Sequence, residues 1–272
     1  LIASPTEHPA VLDTLAALSD AGHQVTYLPV DTSGRVAASD VRAAVGPDTL
    51  AVVVMAANNE IGTVNPIAEI GAVCREAGAV LLSDAVQAAG WIPLDVNAQC
   101  VDLLALSAHK IYGPKGVGAL YVRRRGPRVR LAPLIHGGGH ERGLRSGTAN
   151  VPGIVGFGRA AVLAREELGV HGPRVAALRD RLLETLGREL SGIHVHGEMT
   201  HRLPHNLNVS FDGVEGRVAL ELMPDLALSS GSAFSVSCGA RLITCRYPAS
   251  LTQPSCASVG CPLVSSDSRM GR

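Results

Sequence analysis

The chain has 272 residues, of which 46% are hydrophobic and 18% charged, enough for one large domain with a sizeable core or for a large and a small domain. The formal net charge is zero at pH 7, so neither nucleic acid nor an anionic membrane surface is expected as the main partner. Apolar runs such as 51–57 are far too short to cross a bilayer, so no membrane association is expected.

Helices and strands are predicted to alternate through the first half of the chain. Apolar side chains at helical spacing predict helices at 9–21, 37–45 and 68–76. Continuous apolar runs predict buried strands at 25–29, 49–55, 79–83, 103–107 and 118–122. This alternation indicates an α/β fold with a mostly parallel sheet flanked by helices, in which ligands bind at the carboxyl ends of the strands.

The pattern changes after Asn150. Two long amphipathic helices are predicted, and two short strands follow them; the helices are 154–168 and 174–190, and the strands are 193–195 and 206–211. We therefore expect a large domain at 1–165 and part of a smaller α+β domain at 166–234. Apolar periodicity disappears in 235–272, which we interpret as a disordered tail or, preferably, as an altered terminus or the product of a shifted reading frame.

Lysine and cysteine are distributed unevenly. Of the 24 basic residues only Lys110 and Lys115 are lysines, and both lie in the segment 109–116. Arginine cannot replace a lysine that must lose its proton, so the segment hints at amine chemistry, with GC-rich coding bias as the alternative. None of the six cysteines forms a C-x-x-C pair, so no metal site is expected. We interpret them as reduced thiols of a cytoplasmic protein.

Two predicted strands end in residues of opposite charge. Asp84 follows one buried strand, and Lys110 follows the next. A carboxylate at such a place is costly unless it meets a cation. Enzymes that use pyridoxal 5′-phosphate (PLP) need a lysine for a Schiff base and an acid that keeps the pyridine nitrogen protonated. A simple buried ion pair between the two residues is the alternative.

Further polar segments suit an anion. Ser107 and His109 flank the lysine, and the glycine-rich segment 136–148 offers backbone N–H groups, although it is equally typical of a surface loop. His8 precedes the first helix and Asn59 follows a predicted strand; an ordinary helix cap and a polar turn are the alternatives for these two.

Six segments occur in the order found in cysteine desulfurases, which are PLP-dependent enzymes of the class-V aminotransferase fold. They are Thr6–His8, Asn58–Gly62, Asp84–Gln87, Ser107–Gly116, Gly137–Thr148 and Leu228–Ala233. The chain most resembles the housekeeping type that feeds iron–sulfur assembly, from Leu1 to about Ala233. The resemblance implies PLP as cofactor and fold type I of the PLP-dependent transferases. It also implies that the family's N-terminal part is missing and that the chain diverges after Ala233.

The resemblance assigns catalytic roles to two residues, Lys110 and His8, and cofactor-binding roles beside them to Asp84 and Gln87. Lys110 would bond the cofactor and remove the α-proton of the substrate, and His8 would stack on the ring and move protons. Asp84 would pair with the pyridinium nitrogen, and Gln87 with the ring hydroxyl.

It assigns binding roles to four more. Ser107 and His109 would hold the cofactor phosphate. Thr148 would reach the phosphate of the neighbouring subunit in a homodimer. Asn59 would hold the carboxylate of the substrate, L-cysteine.

One departure from the family concerns the sulfur-accepting residue. In the family Ser-Ser-Gly-Ser-Ala precedes a nucleophilic cysteine, which passes sulfur to an acceptor such as an iron–sulfur scaffold protein and leaves L-alanine. Here that position is Phe234, which can neither ionise nor accept sulfur, and Cys238 lies four residues on. The alternatives are a related class-V enzyme, either selenocysteine lyase-like or an aminotransferase, and a non-catalytic dimerising remnant.

Overall fold

The computed structural model describes residues 1–229 and the strand at 243–246. Its first sheet has six strands in the order β2-β1-β3-β4-β5-β6. They are β1 (Ile2–Ala3), β2 (Thr26–Tyr27), β3 (Ala51–Val53), β4 (Val80–Asp84), β5 (Leu103–Ser107) and β6 (Gly118–Val122). All neighbouring pairs are parallel except β5 with β6. The predicted α/β fold with a mostly parallel sheet is confirmed.

Three helices cover both faces of this sheet: α1 (Pro9–Asp20), α2 (Ala38–Ala44) and α3 (Ile67–Ala77). Alternate strand residues face opposite sides, so neighbours in sequence enter different cores. Val53 packs in a small cluster with Leu15 of α1, whereas Val52 lies in the main cluster with Ile70 of α3. Burial on both faces explains why these strands read as continuous apolar runs.

The helix that follows is longer than predicted. A single helix, α4 (Val151–Glu189), replaces the two expected at 154–168 and 174–190, so the predicted break was wrong. Pro173 lies inside it and removes one backbone donor, which costs about 3 kcal/mol in a helix interior. Buried Ala160 and Val175, on either side of that position, tie both halves of α4 to the protein core, and this packing offsets the cost.

The second sheet is antiparallel and has the order β7-β8-β10-β9. Its strands are β7 (Ile193–Val195), β8 (Asn206–Phe211), β9 (Leu228–Ser229) and β10 (Ile243–Arg246), and a short helix, α5 (Gly216–Leu222), lies between β8 and β9. The predicted boundary between 165 and 166 falls inside α4, and the division into domains stays a prediction. Of the segment 235–272, only β10 is within the described residues.

Among the residues that the structure describes, no helix is both long and apolar enough to cross a membrane.

A buried ion pair joins the beginning of β5 to the end of the edge strand β6. Asp102 immediately precedes β5 and Arg123 immediately follows β6; both residues are at most 6% exposed. Nε of Arg123 lies 3.0 Å from Oδ1 of Asp102. The other carboxylate oxygen accepts from the backbone N–H of Leu81 in β4 at 3.0 Å. The pair therefore links β4, β5 and β6 at the end of the sheet where β4 and β5 begin.

We expect Arg123→Met to lower the free energy of unfolding by about 3 kcal/mol, because it leaves the buried Asp102 with only the partly exposed Arg75, whose Nη2 lies 3.7 Å from Oδ1. Urea denaturation followed by circular dichroism measures the effect. Arg42→Met is the matched control, since Arg42 pairs with Glu76 at 2.6 Å on the surface and both side chains are more than half exposed. That variant should lose less than about 1 kcal/mol. Equal losses in the two variants would contradict the expectation.

Candidate active site

Four parallel strands end at one edge of the first sheet. β1, β3, β4 and β5 are neighbours in that order, so the segments that follow them meet at their carboxyl ends. These segments carry His8, Asn59, Asp84 and Lys110, in the same strand order. The structure therefore brings together, at one edge, residues that are up to 102 positions apart in the chain.

The lysine and the aspartate follow directly adjacent strands. Asp84 is the last residue of β4 and pairs in register with Ala105 of β5. β5 continues to Ser107 and passes into a 3-10 turn, Ala108–Ile111, which holds the half-buried Lys110. The prediction that both residues belong to one site depends on this register.

Helix α4 lies against the lysine turn. A Cβ atom at Gly113 would be 3.0 Å from the Cβ of Ala108 and 3.2 Å from that of Ala160 in α4. One at Gly156, also in α4, would be 2.6 Å from Cγ of Pro114. Glycine at both positions permits the close approach of helix and turn, which fixes the backbone on either side of Lys110.

Asp84 is half-buried, and one of its oxygens is occupied. Oδ1 accepts from the backbone N–H of Val86 at 2.8 Å. Burial raises the pKa of Asp84 above its ordinary value, while the Val86 N–H and the nearby His8 act in the opposite direction. A positively charged donor beside Oδ2 would relieve this cost of burial. Gln87 is also half-buried and lies in the turn that follows β4.

His8 caps helix α1. Its Nδ1 accepts from the backbone N–H of Ala10 at 3.1 Å, so the neutral ring carries its proton on Nε2. The alternative of a helix cap is thus confirmed, and the same residue also interacts electrostatically with Asp84. Because the cap orients the imidazole, His8 is held at the sheet edge rather than left to rotate.

Glu7 was missed by the sequence analysis. It is 4% exposed; its Oε1 accepts from the backbone N–H of Met55, and Oε2 is buried without a hydrogen-bond partner among the described residues. Burial is the main cause that raises the pKa of Glu7 to about 8, the Met55 N–H lowers it, and the charge of Asp84 adds to the rise. Glu7 is therefore a neutral acid at pH 7. Its position shortly after a strand, like that of Asp84, was the available signal.

The polar and positively charged groups around His109 suit a phosphate. Ser107 Oγ and His109 Nδ1 are 2.8 Å apart. Desolvation, followed by the positive charges of Lys110 and Lys115, lowers the pKa of His109. A neutral imidazole, a hydroxyl group and two cations make this a favourable place for an anion. Thr148 is exposed in the glycine-rich loop that precedes α4, and its role stays a prediction.

Asn59 lies in a loop that is organised by its neighbour. Oδ1 of the buried Asn58 accepts from the N–H groups of Glu60 and Ile61 at 2.8 and 3.0 Å. Nδ2 of Asn59 donates to Oε1 of Glu60 at 2.8 Å. From the sequence, a role was predicted for Asn59 but none for Asn58 or Glu60. Phe234 and Cys238 lie outside the described residues.

Comparison with known proteins gives one consistent family. The model of the aminotransferase class-V family matches residues 1–250. The cysteine desulfurase IscS of Anaeromyxobacter dehalogenans (strain 2CP-C) is 57% identical over 233 residues, which cover 86% of this chain and 57% of that protein. The chain thus spans little more than half the length of this curated relative.

Solved structures agree. A NifS-like protein superposes with a TM-score of 0.83 at 38% identity. The superposition covers 91% of this chain and 69% of the NifS-like chain. A second structure, of SspA in complex with cysteine, has a TM-score of 0.71 at 37% identity. The superposition covers 85% of this chain and 64% of the SspA chain.

The buried Glu7 predicts a pH-dependent stability. In the unfolded chain its carboxyl group loses its proton near its ordinary pKa of 4.5, whereas in the folded chain it keeps the proton up to about pH 8. The stability of the parent chain should therefore fall, relative to that of Glu7→Gln, as the pH rises from 5 to 8. Urea midpoints of both chains at pH 5, 6.5 and 8 measure the difference.

Asp84 and His8 are present in both chains, so their own titration largely cancels in this comparison. Glu69→Gln, at an exposed position of α3, controls for the loss of one carboxylate. Parallel pH profiles of the parent and Glu7→Gln would refute the buried neutral acid.

Proposed function

This chain belongs to the class-V aminotransferase family, among its cysteine desulfurase members, and we propose that it binds PLP and acts on L-cysteine at the edge where β1, β3, β4 and β5 end. The observation that carries the proposal is the register of β4 and β5, which sets Asp84 and the Lys110 turn side by side. A proton-holding acid and an amine are the two groups that this cofactor requires of a protein.

Proteins of this family depend on PLP, and the residues present fit the cofactor. Asp84 is half-buried with Oδ1 already bonded, so a pyridinium N–H brought to the site would meet Oδ2. Ser107, His109 and two lysine charges lie on the other side, where a phosphate would bind. The neutral Glu7 adds no second negative charge beside Asp84 at pH 7.

When bound, PLP withdraws electrons from bonds at the α-carbon of an amino acid. We propose that Lys110 holds the cofactor covalently, accepts the α-proton of L-cysteine and returns a proton later. Asp84 keeps the ring nitrogen protonated, and Gln87 donates to the ring hydroxyl. His8, oriented by its cap on α1, stacks on the ring and moves protons through Nε2.

The remaining assignments concern binding. Ser107 and His109 hold the phosphate, and Asn59 binds the substrate carboxylate through its amide. Thr148 reaches the phosphate of a second copy of this chain. Exposed apolar side chains on both sides of the glycine-rich loop support a homodimer, because monomers rarely expose large apolar patches. They include Leu134, Ile135, Val151 and Val155, and Leu134 is 94% exposed.

The sulfur acceptor and the location of the protein are further parts of the proposal. We propose an acceptor protein such as an iron–sulfur scaffold, and a cytoplasmic location in which Cys74 and Cys100 stay free thiols. A dimerising protein without turnover is the second candidate function, favoured by Phe234 at the position of the family's nucleophile.

Cofactor binding is tested with the two lysines of the chain. Added PLP should give the parent a visible absorption band that is stable to gel filtration. Lys110→Ala should abolish that band, because it removes the amine that condenses with the cofactor aldehyde. Lys115→Ala is the control for the loss of one lysine charge: it keeps the amine of Lys110, so the band should still form, although at a higher PLP concentration because one cation near the phosphate is lost. A band retained in Lys110→Ala or absent from the parent would refute the assignment.

Turnover is tested at position 234. The chain as written should release little sulfide from L-cysteine, because a phenyl ring cannot take sulfur. We expect Phe234→Cys to raise sulfide and alanine release at least about tenfold, since a thiolate is a strong nucleophile. Phe234→Ser is the control, as its hydroxyl replaces the ring without supplying a thiol. Robust sulfide release from the parent would contradict this expectation.

A further inference from the structure

The loop that carries Asn59 is tied on one side to the start of the site. Nδ2 of Asn58 donates to the backbone carbonyl of Thr6 at 2.9 Å, directly ahead of Glu7 and His8. Its Oδ1 caps the two N–H groups that follow in the loop. One buried amide thus connects the segment after β1 to the segment after β3.

On the other side, the loop is held by the second sheet. Asn206 and Asn208 of β8 both donate through Nδ2 to the backbone carbonyl of Glu60, at 3.0 and 3.1 Å. Residues two apart on a strand share a face, so both amides reach the same oxygen, and two donors match its two lone pairs. Asn206 is 4% exposed and Asn208 is fully buried. We call these two side chains the Glu60 clamp.

The orientation of the clamp is chemically determined. Nη1 of Arg202 donates to Oδ1 of Asn206 at 2.9 Å. Because a guanidinium group has only donors, the amide oxygen must face Arg202 and the amide nitrogen must face Glu60. For Asn206 this removes the usual ambiguity between amide nitrogen and oxygen, and for Asn208 the carbonyl of Glu60, which can only accept, requires the nitrogen to face it.

The loop after β3 and strand β8 lie so close together that no side chain fits between them at Gly62. Gly62 has a φ of +72°, and a Cβ there would lie 2.5 Å from Cγ of Asn206. The carbonyl of Gly62 accepts from the N–H of Leu203 at 2.8 Å. The N–H of Val64 donates to the backbone carbonyl of His201, also at 2.8 Å. The loop is thus held at three successive points by residues 201–208.

The clamp leads to Asn59 through a single residue. Its two amides fix the carbonyl of Glu60, and the carboxylate of Glu60 accepts from Nδ2 of Asn59 at 2.8 Å. An amide nitrogen carries two hydrogens, so Asn59 has one for Glu60 and one for a substrate carboxylate. Two buried amides committed to one carbonyl are a costly way to pack two units, for which apolar contacts would suffice.

We propose that Asn206 and Asn208 are positioning residues, through which the second sheet aims the amide of Asn59 at the carboxylate of an amino-acid substrate. The proposal rests on the proposed function, since Asn59 is the substrate-binding residue there. It makes amino-acid affinity depend on a strand that contributes no group to the cofactor site.

The test uses the full chain and the variant Asn208→Ala, with Ser210→Ala as the matched control. Ser210 is a buried polar residue on the same strand, and its hydroxyl pairs with Nε2 of His196 at 2.8 Å instead of with the loop. Hydrogen exchange measured by mass spectrometry is the first readout. Amides of 58–64 should exchange about five- to tenfold faster in Asn208→Ala, the effect of one lost hydrogen bond, and those of β4 and β5 should not change.

The second readout is amino-acid binding by the PLP-loaded chain. L-Alanine, which has no sulfur to transfer, is added while the visible absorption is followed. Its half-saturating concentration should rise about tenfold in Asn208→Ala and stay constant in Ser210→Ala, with the affinity for PLP unchanged in both. Should Asn208→Ala fail to fold, Asn208→Thr, which favours a strand and cannot reach the carbonyl, takes its place.

Each outcome decides the proposal. Unchanged exchange in 58–64 overturns the clamp itself. Faster exchange with unchanged half-saturation shows a purely structural clamp and overturns the positioning role. A parent chain that gives no absorption band with PLP refutes the proposed function and with it the substrate role, whereas the exchange experiment still decides whether the clamp holds the loop.

Discussion

The parallel pairing of β4 with β5 is the constraint on which the site depends. Two strands in one register bring the end of one beside the end of the other, and Asp84 and the Lys110 turn are the residues found there. A shift by one residue would turn every side chain to the opposite face of the sheet, and Leu81 and Leu104 would leave the main apolar cluster in which they now pack. The apolar packing that stabilises the domain thus also positions its polar edge.

The electrostatics of this edge follow from that placement. Glu7 is buried and Asp84 half-buried, so a charge on either carboxyl group is costly, whereas His8 beside them is exposed. The chain limits this cost by keeping Glu7 protonated and by placing His8 beside Asp84. Positive charge is concentrated around His109, where Lys110 and Lys115 both act on the imidazole. The resulting separation of charge matches a molecule that is cationic at a ring nitrogen and anionic at a phosphate.

Local patterns sufficed for part of the fold. The bounds of β5, β6, β7 and β8 were predicted as observed, because β5 and β6 are mostly apolar and β7 and β8 alternate apolar and polar residues. The break predicted between 168 and 174, which contains Pro173, was wrong, since the cost of a proline is local whereas the packing that offsets it is tertiary. Asp84 and Lys110 were visible as polar residues after apolar runs.

The site residues that were missed depend on distant contacts. The raised pKa of Glu7 arises from its burial in the fold and from the nearby Asp84, and its hydrogen bond comes from Met55, 48 positions away. Asn206 and Asn208 bond a carbonyl about 146 positions away, and no periodicity in the sequence can reveal such a partner.

Helix α4 has a practical consequence for anyone who wishes to divide the molecule. Its 39 residues form a rod of roughly 58 Å. Its first half packs on the turn at Gly113, and its second half bonds the carbonyl of Leu203 through Arg179. Dividing the gene anywhere within 151–189 would cut this helix and leave each fragment with an incomplete helix whose apolar side chains lack their packing partners. Split-protein reporters, domain swaps and crystallisation fragments should therefore place their junctions outside it.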